Sequence, residues 1–142
     1  LKNIAQAAMK NSSQKVRFVA VGGINTLIDF GLLFGLKALG LPAISANVIS
    51  TTTAFCFSFF ANKKYTFKTA GTDIKREIVL FIIITLFGLW VLQTLVIAFV
   101  TSILTQTHLQ DGIILLIAKL FATAVSLVWN YVLYSRVVFK QP

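Results

Sequence analysis

A chain of 142 residues with 57% hydrophobic and only 12% charged positions lies far from the roughly half apolar, quarter charged mixture of soluble domains, so a membrane protein is expected. Its net charge of +9 reads as a topology signal plus attraction to anionic membrane lipid, at about 1 kcal/mol per basic residue near the surface, and no nucleic-acid partner is expected. The single cysteine, Cys56, excludes an intramolecular disulfide.

The opening "LKNIAQAAMKNSSQKVR" lacks the continuous apolar core of a signal peptide. Two readings stay open for it: a short amphipathic helix on the inner membrane surface, with Leu1, Ile4, Ala8 and Met9 toward lipid, or disorder. The first long apolar stretch follows, from about Phe18 to Leu39, and is expected to act as its own insertion signal. Gly22, Asn25 and Asp29 share one face of it at spacings of three and four, with Thr26 beside them. Asp29 stands 12 residues beyond Arg17, about 18 Å along a helix and near mid-membrane. Gly31 and Gly35 form a Gly-x-x-x-Gly pair, read as packing within the monomer in preference to a dimer.

A tight "GLPA" turn leads into a second stretch, Ala43 to Ala61, which runs into "SFFANKKYTF". After a polar loop over residues 69–77, the third stretch, Ile78 to Ile103, is apolar on every side. The loop "TQTHLQDG" precedes the fourth, Ile113 to Tyr134, which closes in "NYVLYSRVVF". Tyr65 and Tyr134 are placed in an inner aromatic belt. Trp90 lies too deep for an anchor, and Trp129 is assigned to the core or to lipid.

Each stretch meets or nearly meets the ~20 residues that cross a ~30 Å hydrocarbon layer. Barrel strands would need alternating segments of about 10 residues, which are not seen. The expected fold is an all-α integral membrane protein with four transmembrane helices, one membrane domain over residues 1–142. Of the 13 Lys and Arg, 11 flank the same side: Lys2, Lys10, Lys15, Arg17, Lys63, Lys64, Lys68, Lys75, Arg76, Arg136 and Lys140. The positive-inside rule makes that side cytoplasmic, with the 1–17 segment, the 69–77 loop and both termini inside.

The two boundary segments belong to a longer internal match. A shift of 72 residues places Asn47, Thr51, Ala54, Ser58 and Asn62 on Lys119, Thr123, Ser126, Asn130 and Tyr134, and Lys64, Phe67 and Lys68 on Arg136, Phe139 and Lys140. Spacings of three and four make each set one stripe, expected to face a shared interior. The chain then reads as two helix-pair repeats, 18–68 and 78–140, in parallel orientation. A shift of 63 residues puts Gly22, Asn25 and Asp29 on Thr85, Gly88 and Leu92, so the acid is confined to the first half.

"FVAVGGINTLIDF", "FCFSFFANKKYTFK" and "YSRVVFK" together resemble the GtrA-like family of small bacterial membrane proteins, over about Phe18 to Lys140. The resemblance implies a bacterial cytoplasmic membrane location and a flippase role in cell-surface polysaccharide synthesis, moving a polyprenyl-phosphate-linked sugar. For the phosphate the basic boundary residues Arg17, Lys63, Lys64 and Arg136, with Asn62, are the candidates, since charge-assisted bonds are among the stronger ones. Ordinary positive-inside anchoring is the plain alternative for each. For the head in the interior the candidates are Asn25, Asp29, Asn47, Ser58, Lys119 and Asn130. Asp29 has three open readings: an ion pair with Lys119, a polar contact to substrate, or a proton-coupling carboxylate.

No enzyme chemistry is expected. His108 lacks a second His or Cys for a metal, and with Asp111 and Ser102 it sits in a short loop that nothing orders for catalysis. "VGGIN" lacks the spacing of a nucleotide fingerprint, and no cofactor is expected. Two further functions stand beside the flippase: a non-transporting adaptor that presents polyprenyl phosphate to a glycosyltransferase or anchors that partner, and a small proton-coupled exporter. A homodimer is left open.

Overall fold

The computed structural model describes residues 1–140, and all regular structure among them is helical. The α-helices are α1 (Lys2–Ala38), α2 (Ala43–Ala61), α3 (Ile74–Leu86), α4 (Gln93–Leu104) and α5 (Asp111–Leu133). Wider π-helical segments continue α2 (Asn62–Thr66), join α3 to α4 (Phe87–Leu92) and continue α5 (Tyr134–Val138). Among the described residues, four helices are therefore long and apolar enough to cross a membrane: Lys2–Ala38, Ala43–Thr66, Ile74–Leu104 and Asp111–Val138. The chain divides into two compact units, Leu1–Thr72 and the residues from Asp73 on.

In the first unit α1 is one helix of 37 residues, so the opening segment is helical and not disordered, but it runs unbroken into the apolar stretch and is not the short separate helix expected. No Pro or Gly occurs before Gly22, and Ala5, Ala7, Ala8, Met9 and Gln14 are strong helix formers, so nothing stops the helix short of the apolar stretch. It ends in a Schellman turn. Gly40 takes φ +94°, its N–H donates to the Lys37 carbonyl at 3.0 Å, and Leu41 N–H reaches back to the Leu36 carbonyl at 3.1 Å. Pro42 then fixes the extended step into α2.

The line along which α2 packs is made of small residues one turn apart. Ala46, Ser50 and Ala54 are at most 3% exposed, because small side chains let helix backbones approach in a setting where lipid provides no hydrophobic drive. This line runs one residue to the side of the stripe read from the sequence. Ala54 and Asn62 of that stripe are buried and Ser58 is half-buried, whereas Asn47 and Thr51 stay exposed. Gly31 and Gly35 are exposed, with nothing within 4 Å of where a Cβ would stand, so they do not serve close packing within the monomer as expected.

The second unit opens with Asp73, whose carboxylate accepts from the N–H groups of Lys75 at 3.1 Å and Arg76 at 3.3 Å and so caps α3. Ala118, Ala122 and Ser126 form the buried line of α5, while Lys119 and Thr123 of the expected stripe are exposed. Tyr134 is 3% exposed, stacked on Phe81 at 4.6 Å, so it belongs to the core and not to an aromatic belt. Thr85 gives its proton to the Phe81 carbonyl at 2.6 Å, which leaves its oxygen to accept from the Tyr134 hydroxyl. Trp129 is half-buried, its indole N–H donating to the Ile84 carbonyl at 3.1 Å and its ring 5.2 Å from that of Phe87.

Several details recur in each unit. The buried lines Ala46, Ser50, Ala54 and Ala118, Ala122, Ser126 are 72 residues apart, as are the π segments that end α2 and α5. Each π segment closes with an i to i+5 bond, Phe67 N–H to the Asn62 carbonyl at 2.9 Å and Phe139 N–H to the Tyr134 carbonyl at 2.7 Å. The closing phenylalanine meets one on the preceding span in both, Phe18 with Phe67 at 6.4 Å and Phe81 with Phe139 at 6.2 Å.

Candidate functional site

The basic end of the first unit gathers the most polar chemistry. Arg17 lies at the base of the first apolar stretch and donates through Nη1 to Ser13 Oγ at 2.6 Å and through Nη2 to the Thr66 carbonyl at 3.1 Å. That carbonyl is within reach because the π segment after α2 widens the last turn and Lys68, at φ +53°, reverses the chain. The reversal is held by Thr69 N–H donating to the Lys63 carbonyl at 2.9 Å. Lys63 is half-buried and bonds Thr72 Oγ1 at 2.8 Å, and Lys64 is exposed.

Asn62 is 2% exposed, and its Nδ2 donates to the Ser58 carbonyl at 2.8 Å and to Ser58 Oγ at 3.2 Å. Arg17 Nε, Asn62 Oδ1, Thr66 Oγ1 and Thr69 Oγ1 are all sealed from solvent without a hydrogen-bond partner. Further along the same unit, Asn25 and Asp29 are half-buried, with Asn25 Oδ1 also sealed and unpartnered. Asp29 accepts a long bond of 3.5 Å from Thr51 of α2, and Asn47 lies one turn beyond Thr51 on the exposed side. The first unit thus brings Arg17 together with the π segment that carries Asn62 and Lys63, and Asp29 together with α2.

In the second unit Arg136 and Lys119 are exposed. Asn130 is half-buried with its Oδ1 sealed, facing Gly88, where an added Cβ would stand 3.2 Å from that oxygen. Arg76 Nη2 reaches the Val137 carbonyl at 3.3 Å, as Arg17 does for Thr66 in its own unit. Sequence reasoning passed over Thr66, Thr69 and Glu77, buried at 0%, 5% and 1% exposure. Glu77 follows Lys75 and Arg76 in the first turn of α3, where an acid is read as an ordinary surface charge, so the sequence alone does not mark it as buried. Among the described residues no group of three or more His, Cys, Asp or Glu is placed to hold a metal ion.

Such a site offers hydrogen-bond donors, acceptors and fixed positive charge beside apolar helix faces. It suits recognition of an amphiphile with an anionic, hydroxylated head. The sequence matches the GtrA/DPMS transmembrane-domain family over residues 17–139. It is also 31% identical over 116 residues to the uncharacterized membrane protein YngA of Bacillus subtilis (strain 168), a match that covers 82% of this chain and 72% of that one.

Proposed function

This chain belongs to the GtrA/DPMS transmembrane-domain family and is a multi-pass membrane protein, and from that premise we propose that it is a flippase for a polyprenyl-phosphate-linked sugar used in cell-surface polysaccharide synthesis. In this reading it sits in the bacterial cytoplasmic membrane with both termini inside and its two helix pairs are parallel repeats. The recurrence of buried lines and π segments at 72 residues supports the repeat, and 11 of 13 basic residues on one set of helix ends support the orientation.

The observation that supports the function is that one helix pair, α1 and α2, carries both the contact of Arg17 with the Thr66 carbonyl and the contact of Asp29 with Thr51. The phosphate would be held at the basic end of the first unit, by Arg17, Asn62, Lys63 and Lys64. The sugar would meet Asn25, Asp29, Asn47 and Ser58 of the same unit, while the tail remains in lipid. The protein's part is to lower the cost of carrying polar groups through hydrocarbon by offering fixed hydrogen bonds, and no covalent step is involved.

The test is translocation of a radiolabelled polyprenyl-phosphate sugar in proteoliposomes, comparing the native protein with Asp29→Asn and with the Lys63→Ala/Lys64→Ala pair. Faster movement than in empty vesicles, reduced in the basic pair variant, is the expected result. Lipid binding without movement would sink the flippase and leave the adaptor reading, in which the exposed part of α1 before Arg17 offers a surface for a glycosyltransferase.

A further inference from the structure

The two units treat the space beside a buried phenylalanine differently. In the second, Tyr134 fills it, stacked on Phe81 with its hydroxyl bonded to Thr85. The positions that correspond in the first unit, 63 residues earlier on the first helix and 72 earlier on the second, are Phe18, Gly22 and Asn62. A side chain of four heavy atoms there replaces a phenol ring, and nothing lies within 4 Å of where a Cβ on Gly22 would stand.

The same end holds four of the seven sealed, unpartnered side-chain atoms among the described residues: Arg17 Nε, Asn62 Oδ1, Thr66 Oγ1 and Thr69 Oγ1. Buried polar groups are ordinarily hydrogen-bonded, so such a concentration calls for polar partners that the protein itself does not supply. Arg17, moreover, donates to neutral oxygens, those of Ser13 and Thr66, so its charge remains to be balanced. In the second unit the counterparts of Arg17 and Thr66 are Leu80 and Val138, which can do neither job.

We propose that the first unit alone binds the head group, one per chain. A phosphate ester anion accepts from Arg17 Nε–H and from the hydroxyls of Thr66 and Thr69. Asn62 Oδ1 accepts from a hydroxyl of the attached ring, which takes the position beside Gly22 that Tyr134 fills in the second unit. This deepens the flippase reading and rests on it for the nature of the lipid.

The experiment measures binding of geranylgeranyl phosphate to the detergent-solubilised full chain, with geranylgeraniol and phosphatidylglycerol as controls. Saturable binding at one per chain is expected, weakened at least tenfold by Arg17→Gln and by Thr66→Val, and changed less than twofold by Arg76→Gln in the second unit. Thr66→Val removes a buried hydroxyl that has no partner in the protein, so its thermal midpoint should hold or rise while binding falls; a structural hydroxyl would lower the midpoint instead. Native binding in both first-unit variants overturns the site, as does equal loss in Arg76→Gln or displacement by phosphatidylglycerol at matching concentration. Failure of the flippase reading looks different: the binding pattern persists, supporting the site, while no lipid moves in vesicles.

Discussion

Replacing Gly88 by alanine tests the packing of the second unit. An added Cβ would stand 2.9 Å from Trp129 Cδ1 and 3.4 Å from its Nε1, and 3.2 Å from Asn130 Oδ1. Ordinary carbon contacts begin at about 3.5 Å, so the indole must retreat by roughly 0.6 Å or more. It has little freedom to do so, since its N–H is held by the Ile84 carbonyl and its ring lies against Phe87. Overpacking of this kind costs about 1–3 kcal/mol, against a helix-propensity gain of about 1 kcal/mol for replacing Gly by Ala. The expected net loss is about 0–2 kcal/mol, and about 1–3 kcal/mol relative to a glycine replaced without any clash. Gly31→Ala meets nothing within 4 Å and keeps the gain, so it should be neutral or stabilising. Thermal unfolding of the purified protein in detergent, followed by tryptophan fluorescence, reads both. If Gly88→Ala proved as stable as Gly31→Ala, the close approach at Trp129 would be refuted.

Tyr134→Phe removes the hydroxyl bonded to Thr85 but keeps the ring on Phe81, and should lower stability by about 1 kcal/mol in the same unfolding assay. Gly40→Ala forces a Cβ into a left-handed turn at φ +94° and should cost about 1–2 kcal/mol, whereas Gly35→Ala should not. Asp73→Ala deletes the α3 cap and should cost about 0.5–2 kcal/mol, recovered largely by Asp73→Asn, with chemical denaturation as the readout. Asp29→Asn keeps an acceptor for Thr51 and so should preserve lipid transport if the residue is a polar contact; transport that becomes insensitive to a pH gradient would instead mark it as proton-coupling.

The four spans were legible because length and hydropathy alone meet the demand of the hydrocarbon layer, and so was the family, through the boundary motifs. The extent of α1 was harder to see, since its first turns are largely polar and exposed and their few apolar residues read as a separate surface helix. Spacing located the stripes on α2 and α5 to within one residue, but choosing between Ala46 and Asn47, or Ala118 and Lys119, needed the partner helix, which selects the smaller side chain. The π segments leave no clear period, so the wide turn that brings the Thr66 carbonyl to Arg17 could not be foreseen. Tyr134 was misplaced because its position near a basic boundary resembles that of an interfacial anchor, and only the contact with Phe81 and Thr85 reveals the core residue.

The most direct test of the central claim is the initial rate at which a fluorescent polyprenyl-phosphate sugar becomes accessible to a membrane-impermeant quencher in vesicles carrying the native protein, set against protein-free vesicles of the same lipid. The account requires a rate that rises in proportion to protein and falls when unlabelled polyprenyl-phosphate sugar competes. An unchanged rate, with the protein folded and inserted, would contradict it.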